Sequence, residues 1–265
     1  MNLLEQIGCP WIDLTPFLDD SDRLTALYLE HRAKGKKLGY TPVFMDRSME
    51  EKQWFWDYFQ IDESFREYAA LPRAILKKAG SKSWPEWFHE IHQQYVMWDD
   101  DLDEDDPLYE YGMQLASNTL PFPPDAEYEA MVHPLKPEAL RIEKWHGLWS
   151  DQKDEIFYVD QDDVLALIPV SYPWQVMALL PIGGFNWCPT PEHQTAFAKH
   201  MYEDYGAEIM SVNSVAINYY LETPLTQKEY VYAAVRDLAV MDADWYQDIE
   251  PHYVYGKQRL YLWWD

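Results

Sequence analysis

Cys188 stands just ahead of Thr190 and Pro191, a pair that can cap and open a helix, with His193 inside that helix and Asn186 shortly before the thiol. A cysteine beside a helix N-terminus is drawn toward its thiolate by backbone N–H groups and the helix dipole. A Cys188–His193–Asn186 set could in principle serve acyl transfer, as in a hydrolase or transferase. The plainer use of a WCP triplet in a tight loop is packing, since free cysteine is among the most buried residue types. Gly183 and Gly184 lack the G-x-G-x-x-G and G-x-x-x-x-G-K spacings, so no phosphate cradle is expected.

Metal chemistry finds little support. His89, Glu90 and His92 spell HEIH, but a zincin helix needs its histidines four apart with the glutamate between. His193 and His200 share a helix face without an evident third ligand. Placing Asp99 first in a calcium loop puts Asp101, Asp103, Asp105 and Glu110 in liganding positions. Glu104 then occupies the place of the turn glycine and Pro107 that of a further ligand. No metal or cofactor is expected.

The same acidic run has another use. Residues 83–135 contain no Lys or Arg, yet carry thirteen carboxylates and nine aromatic rings. Seven of the eight positions 99–106 are acidic, flanked by Trp98 and Tyr109. Such uncompensated charge repels itself, which points to a basic partner. The expected contact residues are Trp98, Asp99, Asp100, Asp101, Asp103, Glu104, Asp105, Asp106 and Tyr109. With 46 acids against 21 basic residues the net charge is −25, which argues against nucleic acid and anionic membranes as partners.

The elements that must hold these groups can be sketched. Hydrophobic residues make up 48% of 265, and 13 Trp with 20 Tyr supply a real core. Two distant cysteines, Cys9 and Cys188, indicate no disulfide framework. The opening MNLLEQIGCPWIDL has no basic region or long apolar run, and no transmembrane stretch occurs elsewhere, so a reducing, cytoplasmic protein is expected. Ser21 can cap a helix with Leu24, Leu27 and Tyr28 on one face and Gly35 at its C′ position, followed by a strand at 40–45. Capping boxes at Ser48/Glu51, Ser64/Glu67 and Ser83/Glu86 predict helices near 49–59, 63–79 (kinked or divided at Pro72) and 84–98. Proline-rich 99–137 reads as a loop and places a boundary between a region 1–125 and a region 126–265.

Further on, 164–170 and 174–180 read as strands, and Thr190 to Gly206 as a helix. A hairpin follows at 209–212 and 215–221, half-buried because Val215, Ile217, Tyr219 and Leu221 alternate. Thr226 and Glu229 start another helix with Tyr230, Val231, Ala234, Val235 and Leu238 on one stripe. The chain closes in RLYLWWD, a short aromatic strand. The pattern is α/β (α+β), a mixed sheet flanked by helices with a helix-rich N-terminal region.

The order LPIGGFNWCPTPEHQTAFAKHMYEDYGAEIMSV, a hairpin, TPLTQKEYVYAA and a terminal WWD resembles the bacterial domain-of-unknown-function family numbered 4253. The matching positions are Gly184, Phe185, Asn186, Cys188, Pro189, Tyr205, Gly206, Ala207, Trp263, Trp264 and Asp265, within residues 164–265. GYTPVFMD at 39–46 is similar to the N-terminal part of longer members. The chain departs at 241–248, where MDADWYQD stands in place of a Cys-Pro-Asp segment and a Gln-Gly pair. The resemblance implies bacterial origin, a compact α/β fold and kinship with small acidic proteins encoded beside secreted interbacterial toxins. It brings no catalytic residues. The leading expectation is an immunity protein (antitoxin) that neutralises a cognate basic toxin. The alternatives are a Cys188–His193 enzyme and a non-catalytic regulatory interaction module.

Overall fold

Alternating apolar residues in four of the strands face two different cores, and that arrangement organises the molecule. The computed structural model describes residues 8–46, 65–96, 124–145, 156–183, 188–213, 215–242 and 251–264. Its main sheet contains β1 (Trp11–Asp13), β2 (Thr41–Asp46), β5 (Asp163–Ile168), β6 (Ala207–Val212), β7 (Ala216–Leu221) and β8 (Arg259–Trp263). The spatial order is β1-β5-β2-β6-β7-β8. β2 pairs with β6 in parallel, and every other neighbouring pair is antiparallel. A separate parallel pair joins β3 (Arg141–Lys144) to β4 (Ile156–Val159).

Side chains of a strand alternate between faces. Val43, Met45, Val164, Ala166, Ile168, Ile209, Ile217, Tyr219, Leu260 and Leu262 meet the larger core. Phe44, Leu165, Met210 and Tyr220 point to the smaller one. Helices α2 (Phe65–Ala79), α3 (Trp84–Ile91), α6 (Pro191–Tyr205) and α7 (Lys228–Met241) contribute to the larger core. So does the single-turn α5 (Val176–Leu179). The smaller core lies under α1 (Ser21–Leu38) and the β3–β4 pair. There Phe44 stacks on Tyr28 at 5.5 Å and meets Phe157 at 5.3 Å between centroids. Complete burial of such a side chain contributes about 2 kcal/mol. The mixed sheet with helices around it is the expected α/β class.

Local signals explain several boundaries. Asp20, rather than the expected Ser21, caps α1 by accepting from Arg23 N at 3.1 Å, and Ser21 is the first helical residue. That helix runs one turn beyond Gly35, the residue expected to end it, and stops at Gly39 with φ +78°. Gly35 is required for another reason: a Cβ there would lie 2.2 Å from the Tyr40 carbonyl oxygen, because the chain folds back on itself. The Ser83 N–H and hydroxyl both donate to the Glu86 carboxylate, which opens α3. A π-turn, His92–Val96, extends that helix. α6 begins at Pro191 and ends against Gly206, φ +73°, as its sequence dictates.

Other expectations change. α2 runs unbroken through Pro72. Residues 174–180, expected as a strand, form a 3-10 turn and α5 instead. The Gln175 side chain accepts from Ser171 N and Tyr172 N and winds the chain into a turn there. A short apolar run cannot by itself separate strand from buried helix. The proline-rich loop contains a helix, α4 (Asp125–Val132). β7 is buried on both faces rather than one, because α1 and the β3–β4 pair cover the second side. Tyr230 is exposed, off the buried stripe of α7. Strands from both sides of residue 125 share the main sheet, so the expected boundary does not divide it. The helix expected at 49–59 lies outside the described residues.

Candidate functional site

The C-terminal constellation is built where β7, the loop after α5 and the start of α6 converge. Gly183 has φ +119°, and a Cβ on it would fall 1.8 Å from the Pro189 carbonyl oxygen. Only glycine allows the two backbones to close this neck. Cys188 emerges from it fully buried. Its Sγ accepts a hydrogen bond from Gln194 Nε2 at 3.4 Å, and the Tyr219 phenol of β7 is close enough to feel the thiol's charge. Burial first, then Cys188, pushes the Tyr219 hydroxyl far up, so it stays neutral. The Tyr219 hydroxyl and Gln194 Oε1 are buried without a hydrogen-bond partner among the described residues.

His193 joins two helices. Its Nδ1 lies 3.1 Å from Thr190 Oγ1 and its Nε2 3.4 Å from Glu90 Oε1. The ring also meets Trp87 edge-on at 5.1 Å. Burial pushes the imidazole down, against the opposing pull of Glu90, so the ring is held neutral. Glu90 in turn is kept low by its bond to Lys82, whose ammonium sits 4.6 Å over Trp87. The arrangement ties α3 to α6. The Cys188 thiol is thus buried, and the neighbouring histidine is bonded to Thr190 and Glu90. Asn186 lies outside the described residues.

Sequence reasoning missed a second polar centre on the same helix. Asp237 of α7 is completely buried. Its Oδ2 lies 2.6 Å from His200 Nε2 and accepts from the Tyr205 hydroxyl at 2.6 Å. Its Oδ1 accepts from Arg236 at 2.9 Å and from Trp84 Nε1 at 3.2 Å. Trp84 stacks on His200 at 4.7 Å, and Asp204 holds the other ring nitrogen at 2.7 Å. Burial opposes ionisation of Asp237, but the His200 bond, the His200 and Arg236 charges and the Tyr205 bond outweigh it and hold the carboxyl below its ordinary range. A carboxylate interrupting an apolar helix stripe was the available signal. On the opposite sheet face, Arg32 makes paired bonds to Glu208 (2.6 and 2.9 Å) and a third to Glu222 at 2.7 Å, pinning α1 to the hairpin. Both centres lock elements together.

Trp98, Asp99, Asp100, Asp101, Asp103, Glu104, Asp105, Asp106 and Tyr109 all lie outside the described residues. Just after them, α4 seats only Tyr128 and Val132 in the body and leaves Asp125, Glu127 and Glu129 exposed. Another acidic group gathers where β4 turns into β5. Asp163 is pushed up to about 7 by burial, against a bond from Asp160 N and with the charges of Asp160, Asp46 and Asp162 adding to the rise. Among the described residues no group of three or more His, Cys, Asp or Glu is arranged to hold a metal ion. Nor is any helix among them long and apolar enough to cross a membrane.

The architecture defines a mixed α/β protein whose sheet is covered on both faces. Its residues 164–265 match the model of a family described as a domain of unknown function (DUF4253). That stretch holds β6, β7, β8, the Cys188 neck and Asp237, whereas β1 and β2 precede it. No curated protein and no solved structure matches the chain.

Proposed function

We propose that this chain is a bacterial immunity protein that captures a basic, secreted toxin and neutralises it by occupying its working surface. The observation that carries the reading is the stretch 83–135, with thirteen carboxylates, nine aromatic rings and no Lys or Arg. Clustered carboxylates steer a cationic partner to the surface, and Trp and Tyr then anchor it in desolvated contacts. The nine residues from Trp98 to Tyr109 named above are the contact set. The sealed thiol supports binding over covalent catalysis, since an acyl transfer needs Cys188 open to substrate. The protein acts in the cytoplasm of a bacterium engaged in interbacterial competition.

The test uses the purified product of the neighbouring reading frame. Replacing the seven acids of 99–106 with Asn and Gln should weaken its capture and make the residual affinity insensitive to ionic strength. Cys188→Ser should leave neutralisation intact. Unchanged affinity in the first variant, or loss of neutralisation in the second, would overturn the reading.

A further inference from the structure

An acidic and aromatic face follows the acidic run in sequence, and its residues are among those described. Helix α4 buries only Tyr128 and Val132, so most of its length is free of the body. Asp125, Glu127, Glu129 and Met131 are exposed, Met131 at 39%. The first turns of α7 lie alongside. The Tyr232 hydroxyl reaches the Met131 sulfur at 3.9 Å, and the Tyr128 and Tyr232 rings are 5.8 Å apart. Glu229 projects from the same side of α7, close enough to act on Tyr128.

The charge of this face is unbalanced. Its lysine, Lys228, is already bound to Asp125 at 2.7 Å. Among the described residues Glu127, Glu129 and Glu229 have no ion-pair partner. Burial first, then Tyr255, Tyr232, Glu129 and Glu229, pushes the Tyr128 phenol up to about 12. Tyr232 is likewise raised, by burial and then by Glu127. Both phenols are therefore neutral rings set among carboxylates.

Resting on the reading of the chain as a captor of basic protein, we infer that the outer face of α4 with the first turns of α7 docks an arginine-bearing segment of that partner. The chemistry selects the guanidinium. Its planar fork suits carboxylates, it can stack on the half-buried Tyr232 ring, which Tyr128 backs from the core side, and the exposed thioether is a soft contact for its flat face. A second copy of this chain is disfavoured as occupant, because each copy brings a net charge of −25 and the same acidic face. The face also continues the stretch without Lys or Arg, since α4 falls inside 83–135.

The probe is octa-arginine, titrated against the full chain at low salt, with binding followed by fluorescence anisotropy and by the Met131 methyl NMR signal. Two variants are compared with the parent: Glu127→Gln with Glu129→Gln and Glu229→Gln, and separately neutralisation of the acids in 99–106. The glutamate variant should lose about tenfold in affinity, and the Met131 methyl should shift on addition of peptide to the parent. Met131→Ala, an exposed change that folding tolerates, should weaken binding a few-fold. If the glutamate variant binds like the parent and only the 99–106 variant loses affinity, the α4–α7 face is not the site while the captor reading stands. If octa-arginine fails to bind the parent, both fall.

Discussion

Replacing Asp237 with asparagine preserves the volume of the side chain and removes its charge from a completely buried position. Four donors converge on that carboxylate: His200 and the Tyr205 hydroxyl at 2.6 Å, Arg236 at 2.9 Å and Trp84 Nε1 at 3.2 Å. An asparagine presents one acceptor oxygen, and its NH₂ group then faces donors. Removing one partner of a buried ion pair costs about 3–5 kcal/mol, largely because the remaining charge is left uncompensated. Here Arg236 is partly exposed and can turn toward water, and His200 keeps Asp204 at its other nitrogen, so the lower end applies. The expected loss is about 3 kcal/mol, or about 6–12 °C in Tm for a protein of this size. Urea unfolding followed by tryptophan fluorescence measures it, since Trp84 stacks in the same cluster. A double-mutant cycle with Tyr205→Phe should give a coupling of about 1 kcal/mol or more. The pH dependence has a definite sign. The carboxyl is held low in the folded chain, so its contribution is present above about pH 4, its ordinary range, and is lost as acid protonates it below that. Asp237→Asn should remove this part of the acid limb. A destabilisation under about 1 kcal/mol would refute the reasoning that this carboxylate locks α3, α6 and α7 together.

Two further outcomes follow from single groups. Tyr219→Phe deletes a buried hydroxyl that has no hydrogen-bond partner among the described residues, so it should be neutral or stabilise by about 1 kcal/mol in urea unfolding. A loss of that size would mean the hydroxyl is bonded. Asp163→Asn tests the turn between β4 and β5. The carboxyl is raised to about 7 when folded and titrates near 4 when unfolded, so stability should fall as pH rises through that window, by about 1.4 kcal/mol per unit of the difference at most. The variant should flatten that slope in thermal melts across pH 4 to 8, and an unchanged slope would assign it to other groups.

Capping chemistry made much of the helical frame legible. Thr190, Pro191 and Gly206 bound α6, and Ser83 with Glu86 opens α3, through local effects: Pro191 has no N–H to leave unpaired in the first turn, the Gly206 N–H bonds the Tyr202 carbonyl, and the Glu86 carboxylate accepts from Ser83 N. Long-range pairing was less visible. β1 has three residues and β3 and β4 four each, too short to display a period. Residues 176–180 carry an apolar run that is compatible with a strand or a buried turn of helix, and Gln175 decided it through bonds no pattern displays. At the candidate site, burial of Cys188 was foreseen as the plainer use. The engagement of His193 with Glu90 was not, because the two lie on different helices that only the tertiary fold brings together. Asp237 could have been noticed as a charge within the apolar stripe of Ala234, Val235 and Leu238, though its four donors could not.

The position of β2 bears on how this protein is made. It is synthesised early, yet both its hydrogen-bonded neighbours, β5 and β6, leave the ribosome only after residue 163. Until then Val43, Phe44 and Met45, all buried in the finished molecule, travel without a home in the nascent chain. Such exposed strands invite aggregation, so output of this protein should depend on chaperone capacity during translation. By the same logic, a fragment trimmed to 164–265 would keep β5 and β6 with a slot one strand wide between them, inviting any passing extended peptide to fill it.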